Sequence, residues 1–191
     1  DIHEVINAAA TKPFGYMPFY PGPGVGGHCI PIDPQYLLWK AKEKGLSMNF
    51  IALADEINSS MPNYLVKRLE KKFKQKNILI KGSKVLILGI SYKKNIDDCR
   101  ESPSLVIINK LINLGVNVSY NDPFFERLDY SGRYNFNLKS IDINIKNIKE
   151  KDCIILLTDH DDYDYDLISN NSKLIIDTRG KFNNKKNIIR A

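Results

Sequence analysis

The run Val85-Leu-Ile-Leu-Gly-Ile90 constrains this chain more than any other feature. A strand with one wet face alternates apolar and polar side chains. A short, continuous aliphatic run therefore reads as a strand covered on both faces. Cys153–Leu157 and Leu174–Asp177 repeat the theme, and Val116–Tyr120 adds another strand. Ser102-Pro103, followed by Leu105–Leu114 and Gly115, predicts a helix with Ser at the N-cap, Pro at the first turn and Gly past the end. A shorter helix is expected around Asp164–Ser169, and the polar stretch from Tyr120 to about Glu150 reads as irregular. Strand–helix alternation at this spacing predicts an α/β fold, a parallel sheet with helices on both faces.

Before Lys84 the texture is helical. Asp1–Ala10 has the character of the end of a helix whose beginning is missing, and there is no initiator Met. Asp33-Pro34 predicts a helix start, with Asp33 at the N-cap, Tyr36, Leu37 and Trp39 facing inward, and a stop at Gly45. A longer helix is expected from about Asn49 to Gln75, with Ile51, Leu53, Ile57, Met61, Leu65 and Leu69 at helical spacing and a basic tail. The organisation predicted is a helical segment over 1–80 and an α/β domain over 83–191.

Composition narrows the function. Apolar residues make up 43% and charged residues 26%, the balance of a soluble globular protein, and no apolar run approaches a membrane span. No basic and apolar leader opens the chain. The net charge of +6 raises nucleic-acid binding. The Lys residues are scattered among Asp and nineteen Asn, without the aromatic–basic interleaving of single-strand binders. No nucleic-acid partner is expected, and the composition reads as the drift of an AT-rich genome. Cys29, Cys99 and Cys153 are odd in number and widely spaced, which indicates neither disulfides nor zinc and fits a reducing cytoplasm.

Residues 11–33 hold too much Pro and Gly for helix or central strand, yet carry Phe14, Tyr16, Phe19 and Tyr20; this is a structured loop rather than a linker. Gly22-Pro-Gly-Val-Gly-Gly27 spells a dinucleotide fingerprint but follows no buried strand, so its glycines are expected to let backbone approach a ligand at positive φ. Cys29 stands at the mouth of a helix, where partial positive charge favours a thiolate; the bland alternative is a small core residue. His28 beside it is left without a role. Lys93 and Arg100 follow the first strand, at the sheet edge where ligands of α/β folds bind, and could meet an anion or be solvated. The acidic run Asp159–Asp166 lacks the Gly and distal Glu of a calcium loop and reads as a solvated turn.

Two long motifs in order, Thr11-Lys-Pro-Phe-Gly…Gly-Gly-His-Cys29-Ile-Pro-Ile-Asp33-Pro-Gln-Tyr-Leu and Gly-Ile-Ser-Tyr-Lys93…Asp98-Cys-Arg100-Glu-Ser-Pro, resemble the UDP-glucose/GDP-mannose dehydrogenase family. The wording Phe-Tyr-Pro-Gly-Pro-Gly-Val-Gly-Gly-His-Cys-Ile-Pro-Ile-Asp is most similar to its bacterial UDP-N-acetylglucosamine 6-dehydrogenase branch. Family members join an NAD-binding Rossmann domain, a helical dimerisation segment and a UDP-sugar-binding α/β domain. The resemblance identifies this chain with the end of the helical segment plus a Rossmann-like UDP-sugar domain.

It implies oxidation of a sugar C6 alcohol to a carboxylate with two NAD, through a thiohemiacetal and thioester on the residue matching Cys29. Asp33 matches a catalytic Asp able to help move a proton. Lys93 and Arg179 match UDP-sugar ligands, Arg100 a residue near the NAD, and Phe19, Tyr20, Pro21, Gly22 and Gly26 the strip along the sugar. Lys12 loosely matches a basic residue reaching the partner subunit's site, and a homodimer is implied. The family's active-site Lys and Asn, and its NAD domain, lie upstream of Asp1. Ile32 stands where the glucose branch has a Lys, so that contact is not carried over. The chain alone is expected to be inactive. The competing reading is a non-catalytic nucleotide-binding or assembly module that keeps the fold.

Overall fold

The computed structural model describes residues 1–130, 133–183 and 185–191. Three helices come first: α1 (Ile2–Ala10), α2 (Cys29–Glu43) and α3 (Asn49–Gln75). The rest is β1 (Lys84–Leu88), α4 (Pro103–Asn113), β2 (Asn117–Asn121), β3 (Arg127–Tyr130), β4 (Asn135–Lys139), α5 (Ile145–Lys149), β5 (Cys153–Leu156), α6 (Tyr165–Asn171), β6 (Ile175–Asp177) and β7 (Ile188–Arg190).

Five strands form the predicted parallel sheet in the order β2-β1-β5-β6-β7. Alternate side chains leave opposite faces of each strand. Val85, Ile87, Cys153, Ile155 and Ile176 pack with Leu65, Leu69 and Phe73 of α3 and with Ile107, Ile108 and Leu111 of α4. Leu86, Leu88, Ile154, Leu156 and Ile175 pack with Ile148 of α5 and Ile168 of α6. Both faces are thus covered, which is why the strands read as unbroken aliphatic runs. From β1 the chain steps to β2 on one side and, later, to β5 on the other. The crevice outside the carboxyl ends of β1 and β5 is the switch point where such sheets bind ligands.

α4 starts as predicted, with the Ser102 hydroxyl accepting from the Ser104 N–H at 3.3 Å and Pro103 in the first turn. α2 does not. It begins at Cys29 rather than Pro34, with His28 as N-cap, and Pro34 lies inside it. Pro31 occupies its first turn, where an N–H has no partner to lose, so a Pro there does not block an earlier start. Asp33 is therefore a helix-interior residue and not the N-cap.

Tyr36, Leu37 and Trp39 are exposed rather than inward-facing, and so are Leu53 and Ile57 of α3; only the second half of α3 sits on the sheet. The stretch read as irregular contains an antiparallel hairpin, β3–β4, and α5, and the Lys/Asn-rich tail contributes β7.

Candidate active site at the carboxyl edge of the sheet

The 22–27 loop crosses the carboxyl edge, and its missing Cβ atoms let it do so. A Cβ on Gly26 would stand 2.7 Å from Tyr92 Cβ and 3.0 Å from the Glu101 carbonyl oxygen; one on Gly22 would stand 2.5 Å from an Arg179 guanidinium nitrogen. Gly27 has φ +94° and donates its N–H to the Arg100 carbonyl at 2.8 Å. The close approach foreseen for these glycines is thus made to the protein's own 91–103 loop and Arg179.

That loop delivers Cys29 as the first residue of α2, exposed at the helix N-terminus. Its Sγ lies 3.9 Å from His28 Nδ1, so the imidazole left without a role is within reach of the thiol proton. Arg100 is near. Its guanidinium is raised above its ordinary value chiefly by its hydrogen bonds to Asp98, the tightest 2.6 Å. Asp33 follows Cys29 by four residues, which places the two on one helix face with Cβ atoms about 6 Å apart. Asp33 lines a cleft of about 930 Å³ between α2, α3 and the start of α4, with Ile30, Phe50, Asn58 and Glu101.

Lys93 is exposed on the loop after β1, next to Tyr92, against whose ring Gly27 packs. Its neighbour Lys94 is instead paired with Asp161 at 3.0 Å. Arg179 belongs to a turn built by Asp177, whose carboxylate accepts from the N–H groups of Arg179, Gly180 and Phe182 at 2.8–2.9 Å. Arg179 Nε donates to the Leu157 carbonyl at 2.7 Å, leaving the rest of the guanidinium under Gly22. Burial lowers this guanidinium from its ordinary value, against the pull of Asp159 and Asp177.

Phe19 and Pro21 are exposed; Tyr20 stacks on His3 (5.9 Å, 21°) and donates to Asn7 Oδ1 at 3.0 Å. His3 in turn sits against Gly180, so α1, this strip and Arg179 are gathered at one edge. Lys12 is exposed just past α1, outside that cluster.

The acidic run after β5 is less solvated than expected. Asp159 pairs with Lys181 at 3.1 Å, Asp164 caps α6, and His160 is fully buried. His160 Nε2 meets Asp122 Oδ2 at 3.1 Å, while Nδ1 accepts the Asn95 N–H at 3.0 Å. The Asp122 carboxylate also accepts from the N–H groups of Ile90, Ser91 and Phe124 and from the Ser91 hydroxyl. Burial alone would raise this carboxyl. The hydrogen bonds outweigh it and hold the group below the usual carboxylate range. Sequence reading missed both residues. The available signal was position: Asp122 immediately follows β2 and His160 lies four residues past the end of β5, so both stand at the carboxyl edge. Among the described residues there is no group of three or more His, Cys, Asp or Glu placed to hold a metal ion.

Fold and edge geometry together define an open parallel α/β unit with a thiol-bearing loop clamped over its switch point. The UDP-binding domain model of the UDP-glucose/GDP-mannose dehydrogenase family matches residues 86–184, and the family's central domain model matches residues 1–60. The UDP-N-acetyl-D-mannosamine dehydrogenase of Methanococcus vannielii is 39% identical over 171 residues, covering 85% of this chain and 36% of that protein. The UDP-N-acetyl-D-glucosamine 6-dehydrogenase of Pseudomonas aeruginosa is 35% identical over 134 residues, 70% of this chain and 31% of that one. The structure of the UDP-D-ManNAc dehydrogenase of Pyrococcus horikoshii superposes with a TM-score of 0.77 at 30% identity, covering 96% of this chain and 41% of that one. This chain belongs to the UDP-glucose/GDP-mannose dehydrogenase family. It spans about a third of the length of the two sequence relatives named.

The nicotinamide cofactor that this family implies does not fit the crevice. The turn after β1 has a single Gly89 where a dinucleotide turn has three glycines, and a Cβ on Gly89 would meet Thr158 Cβ at 2.4 Å and its carbonyl oxygen at 2.5 Å. Gly22–Gly27 is spent on Tyr92, Pro103 and Arg179.

Proposed function

We propose that this chain is the thiol-bearing and sugar-nucleotide-binding part of an NAD-dependent dehydrogenase that oxidises the C6 alcohol of a UDP-sugar, UDP-N-acetylglucosamine or a close epimer, to the uronic acid. The observation that carries the reading is the clamp of the Cys29 loop onto the switch-point edge through Gly27 and Arg100, beside Lys93 and Arg179. Lys93, exposed and next to Tyr92, is assigned to the diphosphate, and Arg179, half-buried under Gly22, to the nucleotide side. The strip Phe19–Gly22 with Gly26 lies along the sugar. Once the alcohol has been oxidised to the aldehyde, Cys29 Sγ adds to C6, the C–S bond forming as the carbonyl oxygen becomes the thiohemiacetal hydroxyl, which divides a difficult oxidation into easier steps. Asp33, one turn on, takes a proton from the water that releases the acid. Arg100 borders the crevice, and NAD, which would accept the hydride, would be held by residues outside this chain. The isolated chain binds but does not turn over.

Partner and setting belong to the same proposal. The exposed apolar residues of α2 and α3 meet a second copy, with Lys12 directed to the partner's site, and three free thiols suit the cytoplasm. Among the described residues no helix is long and apolar enough to cross a membrane.

Calorimetry with UDP tests the reading. The 191-residue chain is expected to bind saturably and Lys93→Ala to weaken binding about tenfold, the scale of one lost charge-assisted hydrogen bond. No heat from the wild-type chain, or an unchanged affinity in the variant, would remove the assignment.

A further inference from the structure

We propose that His160 is a positioning residue for sugar-nucleotide binding: its neutral imidazole, protonated at Nε2, latches the loop after β1, and with it Lys93, onto the sheet edge. The proposal rests on the UDP-binding reading above.

The tautomer follows from the partners. The Asn95 backbone N–H can only donate, so Nδ1, 3.0 Å away, accepts. The ring proton is then on Nε2, facing the Asp122 carboxylate at 3.1 Å. Phe124 and Tyr163 confine the ring, at centroid distances of 5.2 and 5.6 Å, the latter edge-on. One imidazole thereby ties together the loops after β1, β2 and β5 at the switch point.

The 89–102 loop contains neither helix nor strand; its first residues are held at Ser91, whose N–H and hydroxyl meet Asp122 and whose carbonyl accepts from the Thr158 hydroxyl, and the latch holds it again at Asn95. Asn95 has φ +61°, a left-handed conformation disfavoured for a residue with a Cβ. Three contacts of the loop with Asp161, from Lys94 Nζ, from the Asn95 side-chain amide at 2.6 Å and from the Asp161 N–H to Asn95 Oδ1 at 3.1 Å, are exposed, and exposed contacts of this kind contribute little. The ring is fully buried, where an unmade hydrogen bond is costly. Lys93 stands two residues before the latched amide, so the latch sets where its ammonium can reach.

Two substitutions separate the ring's two bonds. In His160→Gln the side-chain amide reaches the Nε2 position and keeps a donor for Asp122, but offers no acceptor to Asn95. In His160→Asn the amide oxygen takes the Nδ1 position and keeps the latch. The UDP dissociation constant is expected to rise about tenfold in His160→Gln and to return toward the wild-type value in His160→Asn. Adding Lys93→Ala to His160→Gln should then change little, since both remove one interaction. Amide exchange supplies a readout without UDP and without a variant: in the wild-type chain the Asn95 amide should be protected like Ile90 and unlike Lys93 and Lys94. Exposed-like exchange at Asn95 overturns the latch, even if His160→Gln fails to fold. UDP binding that depends on Lys93 and is indifferent to His160→Gln overturns this proposal alone. Absence of UDP binding by the wild-type chain overturns the functional reading and this proposal with it.

Discussion

The Gly27 N–H and the Arg100 carbonyl are 2.8 Å apart, and this bond joins the helical half of the chain to the loop after β1 two residues from Cys29. A loop rich in Pro and Gly is held at the mouth of α2 because backbone meets backbone with no side chain between.

That contact makes Gly26 the most demanding glycine of the loop. A methyl there meets Tyr92 Cβ at 2.7 Å, the Glu101 carbonyl oxygen at 3.0 Å and Ser102 Cα at 3.1 Å, two of them backbone atoms that cannot swing aside. Gly45 has a comparable φ, +69°, to other loop glycines but open space around it. Gly45→Ala is expected to cost about 1 kcal/mol, the left-handed penalty alone. Gly26→Ala should cost about 2–3 kcal/mol from overpacking, and should also loosen Cys29. Urea melts of the two variants check the order; equal midpoints would show that the loop does not press on Tyr92.

Thiol labelling should be selective. Burial pushes the Cys153 thiol far up, and burial followed by the Asp98 charge raises Cys99, whereas Cys29 is exposed at a helix N-terminus. One equivalent of iodoacetamide is expected to enter the native chain rapidly near neutral pH, at Cys29. Cys29→Ser should abolish the fast phase, and His28→Ala should slow it if the imidazole 3.9 Å away takes the thiol proton. Peptide mass mapping after short exposure reads out the site.

Acid should unfold the chain partly through Asp122. Its folded-state acidity lies on the low side of the ordinary value, so its contribution is complete above about pH 4 and is lost as pH falls through the folded value. Melting temperature is expected to hold from pH 7 to about pH 5 and to drop below about pH 4. Asp122→Asn should lower it at pH 7 by roughly 6–12 °C, from a loss of about 3 kcal/mol, and flatten the acid limb. An acid limb of unchanged slope in the variant would assign the effect to other carboxylates. Asp129 and Asp161 are also held low, mainly by hydrogen bonds from Arg127 and Lys94, but both are exposed and screened.

What the sequence revealed follows burial. Val85–Leu88, Cys153–Leu156 and the second half of α3 carry their partners' signature because all of them face the core. The cap at Ser102 was legible because it is a local contact between residues two apart. The Asn135-Phe-Asn-Leu-Lys139 alternation was present too, with Phe136 buried and Asn137 exposed, but five residues among polar neighbours do not stand out. β7 could not be read: three residues of a Lys/Asn-rich tail become a strand only because β6 offers an open edge. His160 was hidden for another reason. Its neighbours are acids, and nothing local tells a turn solvated throughout from one that buries a ring against Asp122 across 38 positions.

The outward face of α2 and α3 yields the last prediction. Tyr36, Leu37, Trp39, Leu53 and Ile57 were read as inward-facing or helically spaced core, yet all are exposed, Trp39 at 59%, and Phe50 beside them is 91% exposed. Apolar periodicity reports that a face is covered without saying by what, and in one chain this face is bare. If a second copy covers it, sedimentation velocity should give a species of twice 21.8 kDa at micromolar concentration. Dilution should then shift the Trp39 emission to the red as water reaches the indole. Phe50→Asp should shift the equilibrium to monomer without lowering the melting temperature measured on the monomer, because Phe50 is almost fully exposed within the chain. A chain that stays monomeric at high concentration, with Trp39 emission independent of dilution, would leave this face to residues beyond this chain.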